Sequence, residues 1–174
     1  LWQSGIPKTI RISSCANVSA IVGQARDESR IIGEPHETQF YASRLYLLDR
    51  SGETRWIVDI DDSISKASVS ADGSLIAASS WTGKIHFLDI SGQRLWTSKK
   101  MGDNIRKVSL SADGYLIAPV VSDDKLRIVD RSGKLLWTYK ISSGIVDVSL
   151  SADGMSLVAS SDRKIYLFDT RNIS

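Results

Sequence analysis

Short apolar runs, broken at regular intervals by Gly, Asp and Ser, make up most of this chain. In Val108 to Lys140 the runs Leu116 to Val121 and Leu126 to Val129 lie between two polar turns. Leu135 to Tyr139 follows, with Trp137 and Tyr139 on one face by the strand period of two. Ser111-Ala112-Asp113-Gly114 has Ser first and Gly fourth, the preference of a type I turn. Asp130-Arg131-Ser132-Gly133 repeats that logic, with Asp in first place to bond local backbone. Such a stretch predicts four short antiparallel strands, lettered A to D. No segment keeps apolar residues at three- and four-residue spacing for three turns, so minimal helix is expected.

The pattern recurs. Asp72-Gly73 returns at Asp113-Gly114 and Asp153-Gly154, steps of 41 and 40 residues. A second marker, Asp-x-Ser-Gly-x-x-x-Trp, begins at Asp49, Asp89 and Asp130 and ends at Trp56, Trp96 and Trp137. Two independent markers with one period define a repeat array. About 40 residues and four strands per unit indicate a propeller blade. The expected fold is therefore an all-β propeller of about four antiparallel blades in one domain spanning 1–174. Blade 1 is placed at 9–58, blade 2 at 65–97, blade 3 at 107–138 and blade 4 at 147–169. Leu1-Trp2 matches Leu95-Trp96, so residues 1–6 read as a spare D strand that pairs with Lys164 to Asp169, which otherwise ends in an open edge. The opening without Met reads as a cut with something removed upstream, and the irregular Thr170 to Ser174 as a C-terminus. A closed four-blade ring, a fragment of a larger ring and two copies in one ring are all compatible with this count.

The first unit is irregular. Gln24 to Asp49 has 26 residues where Ser161 to Asp169 has 9, so 17 extra residues fall within 24–43, between strands B and C. The stretch reads either as a tolerated excursion, such as a small hairpin of Arg30 to Ile32 against Gln39 to Tyr41, or as a functional loop. Ser14-Cys15-Ala16-Asn17 aligns with Ser151-Ala152-Asp153-Gly154, with Asn taking the positive φ of Gly. That places Cys15 in line with Ala71, Ala112 and Ala152, as a small buried thiol.

Composition narrows the classes. Lys plus Arg is 22 against 20 acidic residues, and no basic stripe suggests nucleic acid. One cysteine cannot form an intrachain disulfide or a cysteine zinc cluster. No apolar run is long enough for a membrane helix.

SADG at Ser70, Ser111 and Ser151, with the Asp-to-Trp element at Asp49, Asp89 and Asp130, resembles the pyrroloquinoline-quinone-type β-propeller repeat family. There are echoes of the YVTN and WD-repeat propellers. The likeness is good from Ser51 onward and loose before it. It implies that Trp2, Trp56, Trp96 and Trp137 dock onto neighbouring blades, and that the setting is extracytoplasmic or at a cell surface. Two departures stand out: the Asp-to-Trp spacing is 7, one shorter than the family's docking element, and an adjacent Cys pair is missing. No quinone or other cofactor is therefore expected.

Chemistry is sparse. His86 aligns with Tyr46, Arg127 and Tyr166 on a variable polar face of strand C and reads as a surface residue. His36 lies in the insertion. No Ser sits in a G-x-S-x-G elbow. Asp59, Asp61 and Asp62 are weak calcium candidates, with a solvated acidic loop as the plainer reading. In an up-and-down meander the B-to-C and D-to-A connections share one end. That end would gather the insertion with Phe40 and Tyr41, the non-repeat Trp81, and Lys99-Lys100-Met101. An extra exposed Trp beside an extra loop fits an interface anchor; folded under the loop, Trp81 is structural instead.

The sequence thus points to a non-catalytic scaffold that binds another macromolecule or itself. The rivals are a quinone- or metal-binding enzyme or its remnant, and a cell-surface or glycan-binding module. Small A strands, such as Val148-Ser149-Leu150-Ser151, argue for a filled channel and against the enzyme.

Overall fold

The computed structural model describes residues 11–14, 21–32, 40–49, 51–141 and 144–173, with side chains from residue 42 onward. All regular structure among these residues is antiparallel sheet, with no helix. The first sheet holds β1 (Arg11–Ser14), β2 (Ile21–Ile32), β3 (Phe40–Leu48) and β4 (Thr54–Ile60). β5 (Ile64–Val69), β6 (Leu75–Ser80), β7 (Ile85–Asp89) and β8 (Arg94–Thr97) form the second. The third contains β9 (Ile105–Leu110), β10 (Leu116–Val121), β11 (Lys125–Asp130) and β12 (Leu135–Lys140). β13 (Ile145–Leu150), β14 (Ser156–Ser161) and β15 (Ile165–Asp169) make the fourth. Strands follow chain order in every sheet. The strand expected over residues 1–6 lies outside the described residues.

The turns work through their acidic residues. The Asp89 carboxylate accepts from Ser91 N at 2.9 Å, Ser91 Oγ at 2.6 Å and Gln93 N at 3.0 Å. Asp49 and Asp130 hold their turns in the same way. Bonds from the following Ser hold the Asp49 and Asp89 carboxyls below the ordinary range. In the SADG turns Ser70 Oγ donates to Asp72 at 2.6 Å and accepts from Leu75 N at 3.0 Å, which joins strand A to strand B.

Sheets stack face to face in chain order. Leu45, Leu47 and Ile60 of the first meet Ile64, Val69, Ile76, Ala78 and Leu88 of the second. Ala77, Ile85 and Phe87 of the second meet Ile105, Val108 and Ile117 of the third. Ala118, Leu126 and Ile128 of the third meet Val148, Leu157 and Ala159 of the fourth. Both faces of an interior sheet are buried, so β6 and β10 carry near-continuous apolar runs rather than alternation.

Tryptophan reinforces each junction. Trp56 Nε1 donates to the Ile90 carbonyl of the next sheet at 2.7 Å, and Trp96 Nε1 to that of Arg131 at 2.7 Å. Trp137 instead meets Phe168 edge-on, with centroids 5.2 Å apart. Gly92 accommodates the Trp56 dock: its φ is +84°, and a Cβ there would lie 2.9 Å from Val58 and 3.1 Å from the indole. Trp2 lies outside the described residues. Trp56→Phe keeps one aromatic ring but removes the pyrrole half of the indole with its donor, so urea titration is expected to show a loss of at least about 1 kcal/mol.

The first sheet corrects one alignment. Ser14 pairs with Ile21 as Leu150 pairs with Leu157, and Ile21 pairs with Leu48 as Leu157 pairs with Phe168. Ser14 therefore corresponds to Leu150, one place earlier than matching serine to serine implies. Cys15, Ala16, Asn17 and Val18 themselves lie outside the described residues. Serine spelling misled the alignment because strand A of this unit ends on Ser rather than Val or Leu.

Candidate interaction face

The insertion is an extension of the β2–β3 hairpin. Ile31 pairs with Tyr41 and Ile32 with Phe40 after a register shift between Asp27 and Ile31. At its base, Ser43 Oγ accepts from Ile64 N at 2.8 Å, which ties β3 to the start of β5. Next in line, Trp81 N donates to the Ser63 carbonyl at 2.8 Å. Trp81 occupies the β6–β7 turn, and Met101 N in the β8–β9 connection donates to Gly83 of that turn at 2.8 Å. Hairpin base, Trp81 turn and the Lys99-Lys100-Met101 connection are thus contiguous at one end of the stack.

Their side chains differ in availability. Trp81 is half-buried rather than exposed, because its turn is hydrogen-bonded on both sides. Met101 packs partly into the core between the second and third sheets. Lys99 and Lys100 are exposed, and Lys100 Nζ lies 3.5 Å from Asp103. The face therefore consists of a partly accessible indole beside two solvated cations.

Beneath the Trp81 turn is a buried polar cluster that overturns two expectations. Asp62 and His86 are 2% and 4% exposed, so neither a solvated acidic loop at Asp62 nor a surface histidine describes them. His86 Nε2 and Asp62 Oδ2 are 2.9 Å apart, and Thr82 Oγ1 donates to Asp62 at 2.7 Å. Ser63 N donates to the same carboxylate at 2.8 Å, and Thr97 Oγ1 lies 3.2 Å from His86 Nδ1. Burial alone would raise the Asp62 carboxyl, but bonds to His86 and Thr82 outweigh it and leave the group below its ordinary value. The third sheet solves the same problem with other residues: Arg127, equivalent to His86, donates through Nη1 to Asp123 of its own turn at 2.8 Å. In the second and third sheets the polar strand C position thus helps to anchor the neighbouring turn.

Asp59 turns elsewhere, accepting from Arg44 Nε at 2.6 Å on the exposed side of the first sheet. Among the described residues, no three His, Cys, Asp or Glu side chains are grouped to hold a metal ion. No helix among them is long and apolar enough to cross a membrane.

Residues 39–163, most of the chain, match the profile of a family of unknown function, DUF5711. No curated protein matches the chain.

Proposed function

We propose that this chain, which belongs to the DUF5711 family, is a non-catalytic β-propeller repeat module that presents one loop end to a macromolecular partner. The four sheets would be its blades. Support for the propeller comes from repeat-spaced sheets that stack in chain order with tryptophan docks. The likeness of the SADG and Asp-to-Trp elements to the quinone-type repeats points the same way.

The observation that carries the binding role is the Trp81 end. A half-buried indole outside the repeat pattern, a long hairpin and Lys99-Lys100 converge on one face. Partly desolvated aromatics with a charged rim are the usual anchors of protein interfaces. Small A-strand residues such as Ser68, Ser109 and Ser149 leave little chemistry for an enzyme.

The test is quantitative affinity capture from native extract with wild type and with Trp81→Ala/Lys99→Glu/Lys100→Glu as baits. A partner enriched on wild type and reduced at least tenfold on the variant is expected, with circular dichroism and Tm unchanged to within a few degrees. Equal capture by both baits would overturn the assignment of this face.

A further inference from the structure

The turn that carries Trp81 lacks the acids its counterparts hold. Ser79 pairs with Ile85, Val120 with Leu126 and Ser160 with Ile165. That register puts Trp81-Thr82-Gly83-Lys84 in line with Ser122-Asp123-Asp124-Lys125 and with Ser161-Asp162-Arg163-Lys164. The lysine is common to all three turns, but Thr82 stands where the others have Asp123 and Asp162. Only here, then, does the lysine have no acid in its own turn.

The neighbouring connection adds cations to this turn. Met101 N donates to the Gly83 carbonyl and Ile141 N to that of Asp124, both at 2.8 Å, so the two connections correspond at that bond. From Trp96 to Met101 the chain is one residue longer than from Trp137 to Ile141, and it carries Lys99 and Lys100 where the third unit has Lys140 alone. Gly83 lets the two segments meet. Its φ is +86°, and a Cβ there would lie 1.9 Å from the Gly102 carbonyl oxygen and 3.3 Å from Lys100 Cγ, so a side chain is excluded. The stem of Lys100 therefore packs on the Trp81 turn itself.

Little nearby offsets these charges. Asp62 is turned inward to His86 and Thr82. Asp103 lies 3.5 Å from Lys100 but is 94% exposed, a solvated pair of small worth. Lys84 and Lys99 are exposed and make no ion pair among the described residues.

We infer that the Trp81 end takes an acidic polypeptide segment, with its carboxylates on Lys84, Lys99 and Lys100 and an apolar side chain between them on the indole. The inference rests on the reading of this end as a binding face and adds the chemistry of what it binds. Charge complementarity selects an acidic occupant. Extent selects a polypeptide over a nucleic acid. Gly102 abuts Val121, so the turn with Asp123 and Asp124 borders the patch. A phosphate backbone running past the three lysines would meet those acids, whereas a few carboxylates fit within the lysines' span.

Nuclear magnetic resonance on the isotope-labelled chain, titrated with the acetylated pentapeptide Glu-Glu-Leu-Glu-Glu, tests this. Saturable shifts are expected at the Trp81 indole N–H and at the amides of Lys84, Lys99 and Lys100. The dissociation constant should rise at least about fivefold between about 0.05 and 0.3 M sodium chloride as screening shortens. Lys84→Glu/Lys99→Glu/Lys100→Glu, confined to exposed side chains, is expected to remove the shifts, and the peptide Lys-Lys-Leu-Lys-Lys to produce none. No saturable shift at these positions, equal shifts with the lysine peptide, or binding indifferent to salt would each overturn the inference. The extract capture separates it from the face itself. A partner lost from the Trp81→Ala/Lys99→Glu/Lys100→Glu bait, yet held by wild type in excess acidic peptide, would overturn the acidic occupant and leave the face standing. Equal capture by both baits would strike the face and the inference together.

Discussion

Phe87→Ala is expected to lower the unfolding free energy by about 3–5 kcal/mol, the largest effect of any single truncation in the stack. Phe87 is fully buried between the second and third sheets and stacks on Trp96 with ring centroids 5.0 Å apart. Removing it opens a cavity against Ile105, Val108 and Ile117 and loosens the indole that docks on Arg131. Leu167→Ala, at the equivalent place in the fourth sheet, is expected to cost less than about 0.5 kcal/mol, because that side chain is 72% exposed. Chemical denaturation of both variants at low micromolar concentration makes the comparison. Equal losses would mean that the two positions share one environment, contrary to the stacking described. In thermal terms the Phe87 loss corresponds to about 10 °C for a chain of this size.

Much of the fold was legible because each marker has a local physical cause. Asp89 captures three donors of its own turn, so the Asp-x-Ser-Gly spelling is sufficient to place it. The Arg30 to Ile32 against Gln39 to Tyr41 hairpin could also be read, since apolar residues flank a polar tip, and Ile31–Tyr41 pairing lies within it. What escaped were features set by neighbours rather than by spelling. His86 looks like one of four interchangeable polar residues on strand C. Only the folded path brings Asp62, 24 residues upstream, over it. Sequence alignment also matched Ser14 to Ser151, whereas its pairing with Ile21 puts it in line with Leu150. Trp81 seemed exposed because its repeat counterparts are polar, but backbone bonds to Ser63 draw its turn inward. The open face of the fourth sheet was invisible because Ile165 and Leu167 are spelled as core.

Asp62→Ala is expected to cost about 3 kcal/mol, because it strips the shared acceptor from Thr82, Ser63 and His86 where water cannot replace it. Asp62→Asn keeps the shape and one acceptor oxygen, so about half that loss is expected. The two variants also separate charge from packing through pH. The folded carboxyl is lowered from the ordinary 3.8 by its bonds to His86 and Thr82, despite the opposing effect of burial. A carboxyl that is more acidic folded than unfolded contributes stability fully above the unfolded value. That contribution disappears as pH falls through the folded value. The stability gap between wild type and Asp62→Asn should therefore be constant from pH 7 to about 5 and narrow below ordinary carboxylate pH. Guanidinium titrations between pH 7 and 2.5 read this directly. A gap that stays constant to pH 2.5 would mean that ionisation of Asp62 adds nothing, leaving its packing and neutral hydrogen bonds to hold the Trp81 turn on the sheet.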